Sequence, residues 1–541
     1  MPPNAPLPPN AMIVTAQPEA SEAGARVLMR GGNAVDAAMA AALVQGVVDP
    51  QMCGIAGFGA MQICDPDGAH TCIDFHGRTP LAATPHMWEH LLEGEARDGF
   101  GFVLKGAVND LGYRAITTPG SLLAYFEAAR DFGSWDWGDI CAPAVAQAEA
   151  GFHVRPHVHH WWTHGADMGR ADVAERIGFS QTGREAYFRG DGTIKKIGDH
   201  VANPDLARTL ELIAREGADV FYHGEIAERI EADMIANGGL LRRADLEAYA
   251  TTRQAPLRGS YRGYDLATNQ PPGGGIMLIE MLNILEHFDL AGLGHNSTEY
   301  IRVVAEAMKA ATADKDAHVG DPAFVDIPER LTDKGYANDI AARIRAGEKM
   351  QVTRLGQPEP RDTTHVAVVD ARGLCVSMTH SLGMPSGVIS DGLGFMYNGC
   401  MAVFDPRPGR AGSIAPGKAR FSSICPTIAF EGGTPRIVIG APGGTQIAMG
   451  VVQALLNVID FDMGMNDAVC APRFSATSNA IDITNRIPGY LTDPLADQGY
   501  EIIRSPLTFG IGAVHGIRID DGALSGGADP GHDGVALGVR V

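Results

Sequence analysis

A layered body of helices and β-strands, with strands drawn from both ends of the chain, is the fold this 541-residue sequence predicts. Three observations carry that reading. The chain opens with two helical patterns and a hairpin pattern, its middle from about Pro119 to Met350 reads mostly as helices, and from Thr363 onward it turns to short β-rich runs. Helices early and strands late, with strands already present at the start, fit one α/β body better than two independent domains.

The elements follow in order. A Pro-rich tail gives way near Met12 to Met-Ile-Val-Thr-Ala, and helical spacing then runs over 18–30 until Gly31-Gly32 stops it. Residues 34–47 are alanine-rich and apolar all round, which predicts a buried helix. Glycine turns from Gly54 lead into a strand over 60–64, Asp65-Pro-Asp-Gly68 reverses the chain, and 70–75 alternates as a second strand. Further helices are expected over 121–131, 143–151, 205–216, 225–237, 243–250, 275–286 and 297–315, several opened by Ser or Asp caps. Strands are expected over 365–369, 374–379, 427–430, 436–440 and 512–519, with one helix over 446–459 among them. No fixed-period repeat is visible.

Composition narrows the function. The 43 basic against 64 acidic residues leave a net charge of −21, which repels nucleic-acid backbones and anionic lipid, and no basic block offsets it. Neither nucleic acid nor membrane is expected as a partner. The first ten residues lack the basic start and apolar run of a signal peptide, and the most apolar stretch, 34–48, is interrupted by Asp36 and Gln45 and is too short to span a bilayer. The expectation is a cytoplasmic protein. Eight scattered cysteines without a C-x-x-C pair read as small buried hydrophobes, and neither metal nor cofactor is expected. The 67 glycines, about 12% against the usual ~7%, point to many tight turns and to chemistry carried on loops.

Two motifs carry chemistry. In Asp362-Thr363-Thr364-His365 through Thr379-His380-Ser381, the segment Asp370-Ala-Arg-Gly373 reads as a tight turn between alternating strands. A turn centred between Ala371 and Arg372 sets Thr363 opposite His380 and beside Thr379 and Ser381, so hydroxyls meet at the strand ends. The second motif is Gly440-Ala-Pro-Gly443-Gly444-Thr445 running into a helix, where backbone N–H groups are left to face an anion. No Lys-Ser/Thr follows, so an oxyanion hole for acyl transfer fits better than a phosphate loop.

These residues, with Leu28-Met-Arg-Gly31-Gly-Asn-Ala-Val-Asp-Ala-Ala38, Phe221-Tyr222-His-Gly224, Tyr261-Arg-Gly-Tyr264, Pro271-Pro-Gly-Gly-Gly275, Ser422-Ser423, Pro426-Thr427, Ala471-Pro-Arg-Phe474 and Ala528-Asp-Pro530, make the sequence resemble the γ-glutamyltransferase (glutathione hydrolase) family of N-terminal nucleophile hydrolases nearly end to end. The resemblance implies an α+β fold, a four-layer αββα sandwich, built from both halves of a self-cleaved precursor. It implies cleavage between Asp362 and Thr363, giving a large portion 1–362 and a small portion 363–541 that stay together as a heterodimer and one structural domain, with homo-oligomerisation left open. It further implies that Thr363 is the nucleophile, its new α-amine the base, Ser381 the hydroxyl that orients it, and Gly443 and Gly444 the oxyanion donors on a small-molecule amide substrate. An α-amine titrates near ~7.7–8.0, so part of it is neutral at cytoplasmic pH.

Substrate recognition departs from the family pattern. The family's Asp-Phe-Arg, whose arginine clamps the glutamyl carboxylate, is Asp74-Phe75-His76 here, and a histidine is a monodentate, pH-dependent partner; Arg78, on the face of His76, is the candidate substitute. Ser422 and Ser423, which face the same carboxylate, are present. On the amino side the family's asparagine is Gly383, and its Asn-Asn-Gln-Met-Asp-Asp-Phe is Asn398-Gly-Cys400-Met-Ala-Val403-Phe404. Without those partners a buried ammonium costs several kcal/mol. An amidohydrolase for an acid lacking an α-amine is the leading expectation, with a true γ-glutamyltransferase and an unprocessed binding protein as alternatives. The segment 405–420 reads as a shortened lid that leaves the pocket open.

The run His157-Val-His159-His160-Trp161-Trp162-Thr-His164 has ligand spacing but no acidic partner, and is expected to be a polar, aromatic surface segment or pocket rim. Gly273-Gly-Gly275 is expected to be a packing turn. Neither G-x-S-x-G nor H-E-x-x-H occurs.

Overall fold

The computed structural model describes residues 8–96, 101–165, 170–352 and 363–541, so Asp362 lies outside the described residues. Two antiparallel sheets stack face to face between two layers of helices, the αββα arrangement. One sheet has seven strands in the order Val535–Val539, Ala11–Thr15, Thr364–Val369, Cys375–Ser381, Phe58–Cys64, His70–Phe75 and Thr252–Gln254. The other has six, in the order Ala523–Ala528, His515–Asp520, Thr434–Gly440, Thr427–Glu431, Tyr264–Thr268 and Leu257–Tyr261. Each sheet takes strands from before and after residue 363, so neither stretch closes a sheet by itself.

Alternation explains the layering. In the first strand Ala11 and Ile13 face a helical layer that includes Pro18–Met29 and Ala34–Val48, while Met12 and Val14 enter the core between the sheets. Val366 and Val368 likewise face helices, and Ala367 and Val369 face the second sheet. On that sheet Val438 points inward, and Ile437 and Ile439 meet the outer helices, including Gly275–Leu285, Thr298–His318 and Ile447–Ile459. Strands buried on both faces read as continuous apolar runs, as these do.

The expected middle of the chain needs correction. Within it Leu257–Tyr261 and Tyr264–Thr268 form a hairpin that completes the second sheet. Its two-residue turn places Arg262 at φ +50° and Gly263 at φ +86°, the left-handed pair that suits a tight hairpin. The helix expected from Pro143 starts at Trp137, with Pro143 inside it, because Ile140 and Cys141 already pack into the core. A further helix, Lys334–Arg345, packs on the outer layer through Ala337, Ile340, Ala341 and Ile344. The expected surface segment at His157 is also half core. His157, Val158 and Trp162 are buried, and Trp162 Nε1 donates to Gln51 Oε1 at 2.9 Å. Among the described residues no group of three or more His, Cys, Asp or Glu side chains could hold a metal ion.

Candidate active site

The strands Thr364–Val369 and Cys375–Ser381 lie side by side at the centre of the seven-stranded sheet. Their register pairs Thr364 with His380, one position away from the expected register, so Thr363 stands directly across from Ser381. The loop between them causes the shift. Asp370 N–H donates to Leu374 O at 3.1 Å, and the Asp370 carboxylate accepts from Arg372 N and Leu374 N, which leaves a three-residue loop. Gly373 closes it at φ +91°. Thr363 Oγ1 and Ser381 Oγ are 3.2 Å apart, and Ser381 Oγ also accepts from Gly383 N at 2.8 Å.

Parity then sorts the surroundings. Thr364 turns to the helices, where Gln45 Nε2 donates to its Oγ1 at 2.9 Å; His380 Nε2 donates to Gln45 Oε1 at 2.8 Å, and Tyr125 O–H donates to His380 Nδ1 at 2.5 Å. Burial pushes His380 down to about 3, so the ring in this network is neutral. His365, on the same face as Thr363, rests against Gly440, where an added Cβ would come within 2.2 Å of its ring. Its Nδ1 is 2.8 Å from Thr379 Oγ1, and burial, reinforced by His380, lowers it to about 3.

Gly443 and Gly444 occupy the turn between the strand Thr434–Gly440 and the helix Ile447–Ile459. Gly443 has φ +135° and its Cβ position is 2.9 Å from Gly512 Cα, so a side chain there is excluded. Among the described residues neither Gly443 nor Gly444 donates its N–H to a hydrogen-bond partner. Thr363, Ser381 and Gly444 line one cavity of about 420 Å³, together with Phe58, Gly383, Arg420, Ser422 and Ser423. Two hydroxyls and a glycine turn at one end of a cavity can bind and attack an acyl carbon.

The other expected recognition residues are placed as follows. His76 is buried behind the lining: its Nδ1–H donates to Asp74 Oδ2 at 2.7 Å and its Nε2 is 2.9 Å from Ser422 Oγ. Arg78 lies outside the lining, because the strand ends at Phe75 and Arg78 bridges to Thr118 and Ala419; its guanidinium turns to Asp321 at 3.7 Å. Gly383, at φ +68°, lines the cavity, while the fully buried Cys400 lies behind it. Sequence reasoning missed Arg420. It fills the space beside Gly383, its guanidinium 4.6 Å above the Phe58 ring. The segment 405–420 lines the cavity through Asp405, Arg407, Arg410 and Arg420.

A family model described as Gamma-glutamyltranspeptidase matches residues 20–539. The Acylase ACY 1 proenzyme of Pseudomonas sp. (strain SE83) is 37% identical over 536 residues, covering 98% of this chain and 93% of its own. The glutathione hydrolase proenzyme of Escherichia coli (strain K12) is 32% identical over 539 residues, covering 96% and 90%. Among solved structures, cephalosporin acylase from Bacillus halodurans aligns at a TM-score of 0.85 with 26% identity, covering 99% of this chain and 98% of its own. Matches of that extent, on a chain whose central hairpin brings Thr363 to Ser381, place it in a family: it belongs to the gamma-glutamyltranspeptidases, N-terminal-nucleophile amidohydrolases and acyltransferases.

Proposed function

We propose that the chain cleaves itself before Thr363 and then hydrolyses the amide of an acid that lacks an α-amine. The observation that carries this reading is the 3.2 Å contact of Thr363 Oγ1 with Ser381 Oγ in the 420 Å³ cavity that Gly444 also lines. In the first step Thr363 Oγ1 attacks the carbonyl carbon of residue 362, the peptide C–N bond breaks, and an ester forms as the nitrogen takes up the proton. Water then opens the ester, releasing the carboxylate of residue 362 and restoring the Thr363 hydroxyl beside its already free α-amine. In turnover the neutral α-amine accepts the Oγ1 proton, Oγ1 attacks the substrate amide, and the N–H groups of Gly443 and Gly444 receive the oxyanion. The proton passes to the leaving amine, and water, or an acceptor amine, releases the acyl group from Thr363.

The two portions, 1–362 and 363–541, stay together as a heterodimer, because their strands interleave in both sheets. Gly383 and Cys400 offer no carboxylate to an ammonium, which disfavours γ-glutamyl donors. Seven of the eight unlinked thiols are buried, and that thiol usage suits a reducing, cytoplasmic setting. No helix among the described residues is long and apolar enough to cross a membrane.

The test is a denaturing gel of wild type beside Thr363→Ala. Wild type should divide its 57.2 kDa into pieces of about 38 and 19 kDa, in proportion to its two portions, and the variant should stay whole. One full-length band for both would overturn the reading.

A further inference from the structure

Asp74, His76 and Ser422 form a relay that the mechanism above does not use. Asp74 Oδ2 accepts from His76 Nδ1 at 2.7 Å, Asp74 Oδ1 accepts from the backbone N–H of His76 at 3.1 Å, and His76 Nε2 is 2.9 Å from Ser422 Oγ. These contacts fix the tautomer. A carboxylate only accepts, so the imidazole proton facing it sits on Nδ1, and Nε2 keeps a lone pair that accepts the Ser422 hydroxyl. Among the described residues Ser422 Oγ has no other hydrogen-bond partner. Carboxylate, imidazole and hydroxyl therefore stand in the order, and at the distances, by which a serine is activated as a nucleophile. Asp74 and His76 are buried, the Phe58 ring packs 5.8 Å from the imidazole, and Ser422 opens onto the cavity.

The backbone around Ser422 is locked in place. Ser422 N donates to Pro272 O at 2.9 Å, and Gly274 N donates to Ile424 O at 2.8 Å. Gly274 permits that approach, since an added Cβ would stand 2.4 Å from Ser423 O. Among the described residues the backbone N–H groups of Ser423 and Ile424 donate to no partner. The N–H of the residue that follows a nucleophilic serine is a recurrent oxyanion donor in acyl transfer. Asp74 and His76 come from the portion before residue 363 and Ser422 from the portion after it, and no α-amine takes part. The relay is thus complete whether or not the chain is cut before Thr363.

We propose that Ser422 is a second nucleophile, separate from Thr363, and that Asp74, His76 and Ser422 give the chain an esterase activity toward small carboxylic esters. Ser422 Oγ attacks the ester carbonyl carbon while its proton passes to His76 Nε2, Asp74 holds the resulting imidazolium, and the Ser423 N–H receives the oxyanion. The C–O bond to the alcohol breaks as Nε2 returns the proton to the leaving oxygen, and the acyl group stays on Ser422. Water then gives a proton to Nε2 and attacks the acyl carbon, the carboxylic acid leaves, and Ser422 regains its hydroxyl. Esters are the class this relay suits, because an alkoxide leaves more readily than an amine and needs only the one proton that His76 carries. The 420 Å³ cavity keeps acid and alcohol small.

Two measurements test this. Wild type and the Thr363→Ala chain are treated with diisopropyl fluorophosphate, which phosphorylates activated serines, and the adduct is mapped by peptide mass spectrometry. Hydrolysis of p-nitrophenyl acetate is then followed in the Thr363→Ala chain alone and with Ser422→Ala, Asp74→Asn or His76→Asn added, with melting temperature recorded for each. The adduct should sit on the Ser422 peptide in both proteins, and the Thr363→Ala chain should hydrolyse the ester. Each added substitution should lower kcat/KM by about 100-fold or more. Ser422→Ala removes one atom, so it keeps the test open even if a substitution at the buried Asp74 or His76 unfolds the chain. Asp74→Asn, which no longer holds the proton on Nδ1, should act on kcat and spare KM. An adduct on Thr363 with none on Ser422, no ester hydrolysis by the Thr363→Ala chain, or turnover unchanged in a folded Ser422→Ala double variant would each overturn the assignment. None of these outcomes bears on cleavage before Thr363, which the denaturing gel reads separately.

Discussion

At the Thr363 end of the cavity the reacting groups are fixed by backbone. Thr363 immediately precedes one central strand and Ser381 ends its neighbour, and the Gly443-Gly444 turn is pinned against Gly512. At the Arg420 end the groups come from loops: Gly383 follows a strand, Arg420, Ser422 and Ser423 lie in an irregular stretch, and His76 stands just past the end of another strand. Changing the glycine turn disturbs backbone, whereas changing Arg420, Ser422, Ser423 or His76 changes a side chain. One scaffold can therefore keep its bond-breaking chemistry while its acyl preference drifts, and the two ends should respond differently to substitution.

The largest effect should come from Gly443→Ala. The φ of +135° and the 2.9 Å approach to Gly512 Cα force the turn to move, which displaces the N–H groups from the oxyanion. Turnover should fall about 10²–10³-fold with little change in KM, and self-cleavage should slow as well. Full turnover in a folded variant would remove the glycine turn from the chemistry. Ser423→Ala probes the other end. Losing one hydrogen bond to the bound substrate should raise KM by up to about tenfold, with kcat within about threefold. A fall in kcat alone would merge the two ends into one functional unit.

The same contrast governs what could be read from the chain. The hydroxyl-bearing hairpin was legible, because period-2 alternation and a glycine turn are local signals. Its register was missed by one, because the Asp370 carboxylate bonds the backbone of Arg372 and Leu374 and lengthens the loop to three residues. The layered body with strands from both ends was legible in outline. The half-exposed edge strand Val535–Val539 was not, because what makes it a strand is pairing with Ala11–Thr15 at the opposite end of the chain. Arg78 stands outside the cavity lining because the strand ends at Phe75 and the chain then bridges to Thr118 and Ala419, a turn that period-2 alternation does not signal. Arg420 was invisible because its meaning depends on Gly383 and Phe58, neighbours supplied only by the fold.

The smallest effect is expected at His365, and it sharpens the comparison most. A histidine two residues from a nucleophile invites the role of base. Burial and the neighbouring His380 hold this one at about 3, so it is neutral throughout the working range and titrates no step. The sign is fixed: a folded value below the usual ~6.5 means that folding favours the neutral ring, so its contribution to stability is present at neutral pH and is lost as pH falls from about 6.5 toward 3. The group that gates activity on the reading above is the α-amine of Thr363, which must be neutral to take the Oγ1 proton, so activity should rise with pH through that amine's own range near ~7.7–8.0. Asparagine keeps a polar atom at the position that meets Thr379 Oγ1. His365→Asn should therefore lower the melting temperature through lost packing against Gly440 while leaving the midpoint of the acid limb of kcat/KM where it was. A midpoint that moves with the substitution would make His365 the base and move proton transfer from the cleaved end of the strand into its interior.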